Sequence, residues 1–265
     1  MIARIGLVAV AIASGAGCAR DLGITSAAAD DGHGHRDHRP ARRSPKPAPA
    51  PPAPAPPAPP AEVALQPVAA ARLCVTRGEL ARADGMLEVR VPTMRAVASS
   101  GDGDAAALRF VYQGDTDEKA LLASGQERHQ LGLKLRAADS CNLVYVMWRI
   151  SPKPGIEVQI KRNPDAHTHA ECGTKGYIKL KAEHPVKVPA LAVGDTHTLR
   201  AAIVGDRLQA WIDDRVVWDG TLDPSVRDLR GPAGIRTDNV HALVELATVS
   251  TRGSGSCPSG ADGPD

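Results

Sequence analysis

The middle of the chain contains four short segments in which apolar residues alternate with aromatic or polar ones. Because successive side chains of a β-strand point to opposite faces, one set belongs to a core and the other set does not. The non-core set is Tyr145, Arg149, Glu157, Gln159, Lys161, Tyr177, Lys179 and Trp211. Aromatic rings stack on the C–H faces of sugars, while charged and amide side chains hydrogen-bond their hydroxyls. If the four segments share one sheet, this set is a candidate carbohydrate-binding face; the alternative is an ordinary solvated sheet face.

Catalysis has fewer candidates, namely Glu157 and Arg149. Glycosidases usually place two carboxyl groups on either side of the scissile bond, and the closely spaced E-x-D-x-E run of glucanases is absent from this sequence. Glu157 near Arg149 and Lys161 is more simply a carboxylate kept ionised by positive neighbours. The sequence therefore favours binding over catalysis, and the excess of basic residues on these strands favours anionic sugars.

Two other groups could bind metal ions. His167, His169 and Glu171 would share a face if extended, which gives three possible ligands, but an Asn-Pro turn signal before them favours a solvated loop. That loop could instead form the rim of a ligand site. Two acidic turns could hold Ca²⁺ through their oxygens, and their residues are Asp102, Asp104, Asp115, Asp117 and Glu118. No other cofactor is indicated.

The elements that would position these residues are nearly all β-strands. Runs that alternate or are rich in β-branched residues occur at 87–97, 108–112, 130–136, 143–150, 156–161, 177–181, 197–204, 208–213, 216–218, 234–237 and 242–250. Turn signals separate these runs, and no long stretch has a helical period. Many short strands at such spacing predict a sandwich or a barrel.

Five of these stretches carry a family resemblance. They read NLVYVMWRI (142–150), IEVQI (156–160), CGTKGYIKL (172–180), HTLRAAIVGDRLQAWIDDRVVWDG (197–220) and GPAGIRTDN (231–239). This series resembles the concanavalin A-like lectin/glucanase superfamily, and within it laminin-G-type modules and the 3-keto-disaccharide hydrolase domain. The resemblance implies an all-β jelly-roll sandwich of two antiparallel sheets, one of them concave and often carrying the ligand. Arg149 and Glu157 match positions of the hydrolase-like domain, whereas Lys161 and Arg162 replace an acidic residue expected there.

Beyond Cys18 the chain has four cysteines, an even number that indicates two disulfides in an exported protein. Four cysteines allow three pairings. Cys74 and Cys257 bracket the domain, which favours the pairs Cys74–Cys257 and Cys141–Cys172. Zinc is a poor alternative because no two of them are closely spaced.

The N-terminal region predicts export. Residues 1–18 have a basic start, about nine apolar residues and small residues before Cys18, too short a stretch to span a bilayer. The segment resembles a bacterial lipoprotein signal, which implies lipidation of Cys18; ordinary cleavage and release is the alternative. Residues 19–70 form a Pro/Ala-rich tether, 71–257 the sandwich, and 258–265 a disordered tail.

Three functions remain open at this point. The first is a carbohydrate-binding lipoprotein of the outer membrane or cell surface, or else a periplasmic or secreted one, with a polysaccharide or glycan as its partner. The second is a structural or protein-interaction lipoprotein, and the third is a sugar-cleaving hydrolase. The net charge of +2 gives no support to nucleic acid as a partner. Exposure of Tyr145, Tyr177 and Trp211 on one face would favour the first function, whereas buried or scattered positions would favour the second.

Overall fold

The computed structural model describes residues 64–249 and residue 257. The predicted signal peptide, the lipidation site Cys18, the tether up to residue 63 and the C-terminal tail all lie outside the described residues. In the part of the chain that is described, no helix has the length and apolar character needed to cross a membrane.

Fifteen strands, labelled in chain order, make up two sheets within residues 64–249. Sheet A contains β1 (Leu65–Pro67), β3 (Ala81–Ala83), β4 (Met86–Val89), β6 (Asp102–Asp115), β11 (Thr196–Val204), β12 (Arg207–Ile212), β13 (Arg215–Thr221) and β15 (Val240–Val249). Sheet B contains β2 (Leu73–Arg77), β5 (Thr93–Ala98), β7 (His129–Leu135), β8 (Leu143–Ser151), β9 (Gly155–Lys161), β10 (Tyr177–Leu180) and β14 (Gly234–Asp238). One short helix, α1 (His169–Cys172), lies between β9 and β10, and single 3₁₀ turns occupy Ala70–Arg72 and Pro224–Val226.

Every strand pair in the two sheets is antiparallel. Sheet A runs in the order β13-β12-β11-β6-β15-β4-β3, with β1 also paired to β15, and sheet B runs β10-β9-β8-β7-β14-β5-β2. The chain changes sheet after β1, β2, β4, β5, β6, β10, β13 and β14, so consecutive strands often belong to opposite sheets. The fold is therefore an all-β jelly-roll sandwich, which confirms the predicted fold class.

The core lies between the sheets and is filled by the inward set of the predicted alternation. Phe110 of β6 meets Trp148 of β8 edge to face, with ring centroids 5.6 Å apart. The same cluster buries Val144, Val146, Val158, Ile160, Leu208, Ala210 and Ile212. Ile156 of β9 is partly buried and packs against it. The same alternation predicts Ile178 on the core side, and its register opposite the buried Ile160 agrees with this. Ile178 is nevertheless 39% exposed, because β10 is an edge strand with a neighbour on one side only.

Two boundaries differ from the sequence prediction. The run at 87–97 is two strands in different sheets, β4 and β5, because the chain turns at Pro92, whose ring removes a ladder donor. β1 begins at Leu65, inside the segment assigned to the tether, so the sandwich starts earlier than residue 71.

Two disulfides are present, as the cysteine count predicts. Cys74 of β2 joins Cys257, with Cα atoms 5.4 Å apart, and so connects the first strand of sheet B to the chain beyond β15. Cys141, just before β8, joins Cys172 at the end of α1, with Cα atoms 5.9 Å apart. The second disulfide holds α1 against sheet B, where it borders the site described below.

Candidate ligand-binding site

The face of sheet B that points away from sheet A, here called the outer face, carries most of the buried charge of the domain. The strand register aligns Glu157 of β9, Met147 of β8, Gly132 of β7, Arg236 of β14 and Arg95 of β5 in one row across five strands. A Cβ on Gly132 would collide with the backbone of β8, so no larger residue fits there. Gly132, at the centre of the row, therefore leaves a space between the side chains of Met147 and Arg236.

A pocket of about 380 Å³ lies on this outer face. Its floor is made by strand residues, and its two walls come from the loop before β7 and from the segment around α1. The first wall includes Leu121 and Ser124, and the second includes His169 and Thr174. The basic side chains that line the pocket are Arg77, Arg95, Arg128, Lys134, Lys161 and Arg236. A pocket of this size, with polar groups converging on it, has the dimensions of a small-molecule site.

Glu157 is the most heavily hydrogen-bonded carboxylate of the pocket. It is only 4% exposed. Its oxygens accept hydrogen bonds from Lys179 Nζ at 2.6 Å, Arg149 Nη2 at 2.7 Å, Arg128 Nη1 at 2.9 Å and Gln159 Nε2 at 2.9 Å. Burial alone would raise the pKa of this carboxyl, but the Lys179 hydrogen bond and the charges of Arg149 and Arg128 outweigh it and bring the pKa below its usual value.

Asp238 forms a second buried ion cluster next to the row. Arg95 Nη2 lies 2.7 Å from its Oδ1, while Arg236 Nε and Gln130 Nε2 lie 2.9 and 2.6 Å from its Oδ2. Burial raises the pKa of Asp238, yet the charges of Arg236 and Arg95 reverse this and hold the pKa far below the usual range. The same pairing raises the pKa of Arg236 against its burial. Gln130 is 2% exposed, and its carbonyl Oε1 has no hydrogen-bond partner.

Two tyrosines give the pocket an aromatic side. The rings of Tyr145 and Tyr177 are nearly parallel, at an interplanar angle of 20° with centroids 6.3 Å apart. Tyr177 is 39% exposed, whereas Tyr145 is 5% exposed. Arg236 lies 4.9 Å from the Tyr145 ring centre, and Lys161 Nζ lies 5.3 Å from that of Tyr177. The exposed part of Tyr177 is therefore the aromatic surface that a ligand can reach.

Buried side chains fix the two walls. Asn239 is fully buried; its Oδ1 accepts from the Ala120 amide, and its Nδ2 donates to the carbonyls of Ala120 and Arg128. The opposite wall is held by the Cys141–Cys172 disulfide and by Asn142, which donates to the Ala166 carbonyl. Each loop is thus attached to the sheet at both a side chain and a backbone contact, which favours a pre-formed pocket.

The structure brings seven of the eight predicted ligand-binding residues to the outer face. Tyr145, Glu157, Gln159, Lys161 and Tyr177 line the pocket. Arg149 and Lys179 lie beside it and bind Glu157. The prediction that Trp211 shares this face was wrong, because Trp211 lies in β12 of sheet A. The Arg200 guanidinium lies 5.3 Å from the centre of its ring. Its alternation was correct, but the same period occurs in both sheets and does not tell which sheet a strand joins.

The metal candidates have other partners. The segment 167–171 is not extended, because α1 begins at His169, so the expected shared face of His167, His169 and Glu171 does not form. Glu171 caps this helix by accepting from the amides of His167 and Thr168, which lowers its pKa. The His167 ring instead contacts Asp139.

The acidic turns predicted for calcium lie at opposite ends of one strand. β6 begins at Asp102 and ends at Asp115. Asp102 accepts from the Asp104 amide, Asp104 pairs with Arg136, and Asp115 contacts the His129 ring. Among the described residues, the group of three that could coordinate an ion is elsewhere, at Glu183, His184 and Asp219. Arg207 already pairs with both of its carboxylates.

The electrostatics of the pocket suit binding better than acid catalysis. A glycosidase general acid needs a raised pKa so that it holds a proton near neutral pH. Glu157 and Asp238 are carboxyls of this face in the described part of the chain, and the pKa of each is lowered by its basic neighbours. Both therefore remain ionised, and each serves to hold several cations in place.

Several residues of the site were not identified from the sequence. They are Arg77, Arg95, Arg128, Gln130, Lys134, Arg236 and Asp238. A signal was available for most of them, because Gln130 and Lys134 alternate with the leucines of β7, and Arg236 and Asp238 follow the same period in β14. Arg128 has no such signal, since it precedes β7 in a loop.

Comparison with solved structures gives low identities to several β-sandwich proteins. Carbohydrate-binding module CBM66 from Bacillus subtilis is 15% identical, with a TM-score of 0.47 over 67% of this chain and 94% of that chain. Domain 4 of the Geobacillus stearothermophilus arabinanase AbnA, in complex with arabinotriose, is 9% identical, with a TM-score of 0.38 over 70% and 84%. The Crh5 transglycosylase in complex with NAG is 13% identical, with a TM-score of 0.41 over 71% and 83%. No protein-family model and no curated protein matches this sequence.

Proposed function

We propose that this protein binds carbohydrate in the pocket on the outer face of sheet B. The observation that carries the proposal is the composition of the pocket: an accessible tyrosine face beside a floor of closely placed hydrogen-bonding groups. Tyr177 offers a flat surface for the C–H face of a sugar ring, and the amide and charged groups around it match ring hydroxyls. Held ionised, Glu157 and Asp238 position these groups rather than react.

The proposed setting is the cell envelope. Residues 1–18 supply an export signal, and the two disulfides agree with an oxidising compartment. Lipidation of Cys18 would place the sandwich at the end of a Pro/Ala-rich tether, where it could reach a polysaccharide at the outer membrane or cell surface. Cleavage without lipidation would leave the same domain periplasmic or secreted.

A glycan array with the purified chain tests the proposal, with and without calcium. Tyr177→Ala should reduce binding at least about tenfold while the melting temperature changes little, because the ring is partly exposed and no longer stacks on the ligand. Trp211→Ala is a matched control, since it removes an aromatic ring from the opposite sheet and should leave binding intact. Equal loss in both folded variants would refute the location of the site, and no binding to any glycan would favour a structural or protein-interaction role.

A further inference from the structure

Two glutamines line the pocket, and each is held by a buried carboxylate. Gln159 Nε2 donates to Glu157 Oε1 at 2.9 Å, and Gln130 Nε2 donates to Asp238 Oδ2 at 2.6 Å. Gln159 is half-buried, whereas Gln130 is 2% exposed. Within the described part of the chain, no group donates a hydrogen bond to the buried Oε1 of Gln130. An unpaired buried acceptor is costly, so this carbonyl calls for a donor.

The orientation of the Gln130 amide is fixed by its charged neighbours. A carbonyl oxygen turned toward Asp238 would repel the carboxylate, so the NH₂ group faces that side. Asp238 itself is held in place, because Arg95 and Arg236 both pair with it. Since the two polar atoms of an amide diverge, Oε1 points away from Asp238 and is available only as an acceptor.

The neighbouring strand places an unpaired donor beside this acceptor. Gln130 of β7 is opposite Asp238 of β14 on one side and opposite Arg149 of β8 on the other. Side chains directly opposite each other on one sheet face have Cβ atoms about 5 Å apart. Arg149 donates to Glu157 through Nη2, while its buried Nε has no acceptor among the described residues. A hydroxyl donates one hydrogen bond and accepts two, so it matches this position better than a group that only donates.

We infer that Gln130 determines the specificity of the pocket by accepting a hydrogen bond from one hydroxyl of the bound sugar. This inference rests on the proposed carbohydrate-binding function and deepens it by naming the group that the sugar must present. Oε1 is out of contact with solvent, so the hydroxyl reaches it through a side-chain shift of the kind that commonly accompanies binding. A site built to bond a hydroxyl rejects an analogue without it far more strongly than an apolar pocket does.

NMR titration of the purified chain with matched probes tests the inference. The probes are the methyl glycosides of glucose, galactose, mannose and arabinose, each with its set of monodeoxy and monodeoxyfluoro analogues. At one ring position both replacements should weaken binding by at least about tenfold, because neither a deoxy carbon nor fluorine donates a hydrogen bond to Oε1. The loss at the other positions should be smaller.

Two matched variants assign the effect to Gln130. Gln130→Met keeps the length of the side chain but removes the acceptor, so the penalty at that ring position should shrink to less than about threefold. Gln159→Met is the control, because it removes the other carboxylate-bound amide of the pocket and should leave that penalty in place. If Gln130→Met does not fold, the ¹³C resonance of the Gln130 side-chain carbonyl in the wild-type chain replaces it. This resonance should move when the parent glycoside is added and stay in place with the deoxy analogue.

The outcomes distinguish this inference from the proposed function. A penalty at one ring position that is lost in Gln130→Met and kept in Gln159→Met supports it and identifies the hydroxyl. Three results overturn the inference but leave carbohydrate binding standing: equal tolerance of deoxygenation at every position, the same penalty in Gln130→Met as in the wild type, or its loss in both variants. Binding of an arrayed glycan without binding of any methyl glycoside also overturns it, since the contact is made by a single ring. Absence of binding to every probe and every arrayed glycan overturns both proposals.

Discussion

Replacing Asp238 by asparagine should destabilise the domain far more than replacing a surface acid. Asp238 is 2% exposed, and Arg95 and Arg236 both pair with it. Asparagine keeps the shape but loses the charge, so two nearly buried guanidinium groups would repel each other without a counter-ion. Breaking a buried pair from one side costs about 3–5 kcal/mol. For a domain of this size, that free energy lowers the melting temperature by about 6–20 °C.

The assay is urea and thermal unfolding at pH 7 under non-reducing conditions, followed by circular dichroism. Glu245→Gln is the control, because Glu245 pairs with Arg109 at 3.8 Å and both side chains are largely exposed. Such a surface pair contributes below about 1 kcal/mol. A loss below about 1 kcal/mol for Asp238→Asn would refute the reasoning, because it would mean that water or another group already neutralises the two arginines.

The pH dependence of the same variant gives an independent check. The pKa of Asp238 is lower in the folded chain than its ordinary value of 3.8. An acid with a lowered folded pKa contributes stability above its unfolded pKa and loses that contribution as the pH falls toward the folded value. The stability difference between the wild type and Asp238→Asn should therefore be constant near neutral pH and narrow below about pH 4. A difference that widens in acid would contradict the assignment.

Two further results are expected. Replacing Cys141 and Cys172 together by serine should lower the free energy of unfolding by about 3–4 kcal/mol, because the disulfide restricts a loop whose ends are 31 residues apart in the unfolded chain. Urea unfolding measures this loss. Unchanged stability together with unchanged glycan affinity would contradict the role of this disulfide in holding the pocket wall. Glu157→Gln should make the stability of the domain fall less steeply with pH in acid. The reason is that the pKa of Glu157 is lowered in the folded chain, so its contribution to stability is lost as the pH falls below about 4.5, the ordinary pKa of glutamate. A steeper fall of stability in acid for the variant would count against this expectation.

Periodicity predicted the strands and their faces well because period two follows from backbone geometry alone. Val144, Val146 and Trp148 are buried between the sheets, as their alternation requires, and Tyr145 and Arg149 lie on the other face. Alternation alone does not divide the run at 87–97 into two strands, since both halves alternate and only the turn at Pro92 separates them. Ile178 shows a similar limit, because an edge position depends on strand order and not on the local pattern.

The site was only partly predictable for a related reason. The predicted binding face required its four strand segments to lie in one sheet, but the alternation of side chains does not show which strands pair. Trp211 therefore seemed equivalent to Tyr177, although β12 and β10 belong to different sheets. Conversely, Arg236 and Asp238 come from a strand almost sixty residues beyond β10, and only the order β7-β14-β5 brings them to the pocket.

The outer face of sheet B also shows why stability and binding compete in this domain. A sheet face covered by apolar residues would be easier to bury, and part of this face is built that way, with Leu143, Met147 and Val97 packed in a small second core. The pocket beside it instead buries Lys134 and Lys161 near several arginines. Ion clusters of this kind rarely stabilise a fold as well as apolar packing does. Their position next to the partly exposed Tyr177 agrees with the carbohydrate-binding role proposed above, and a bound ligand would return stability to the folded state.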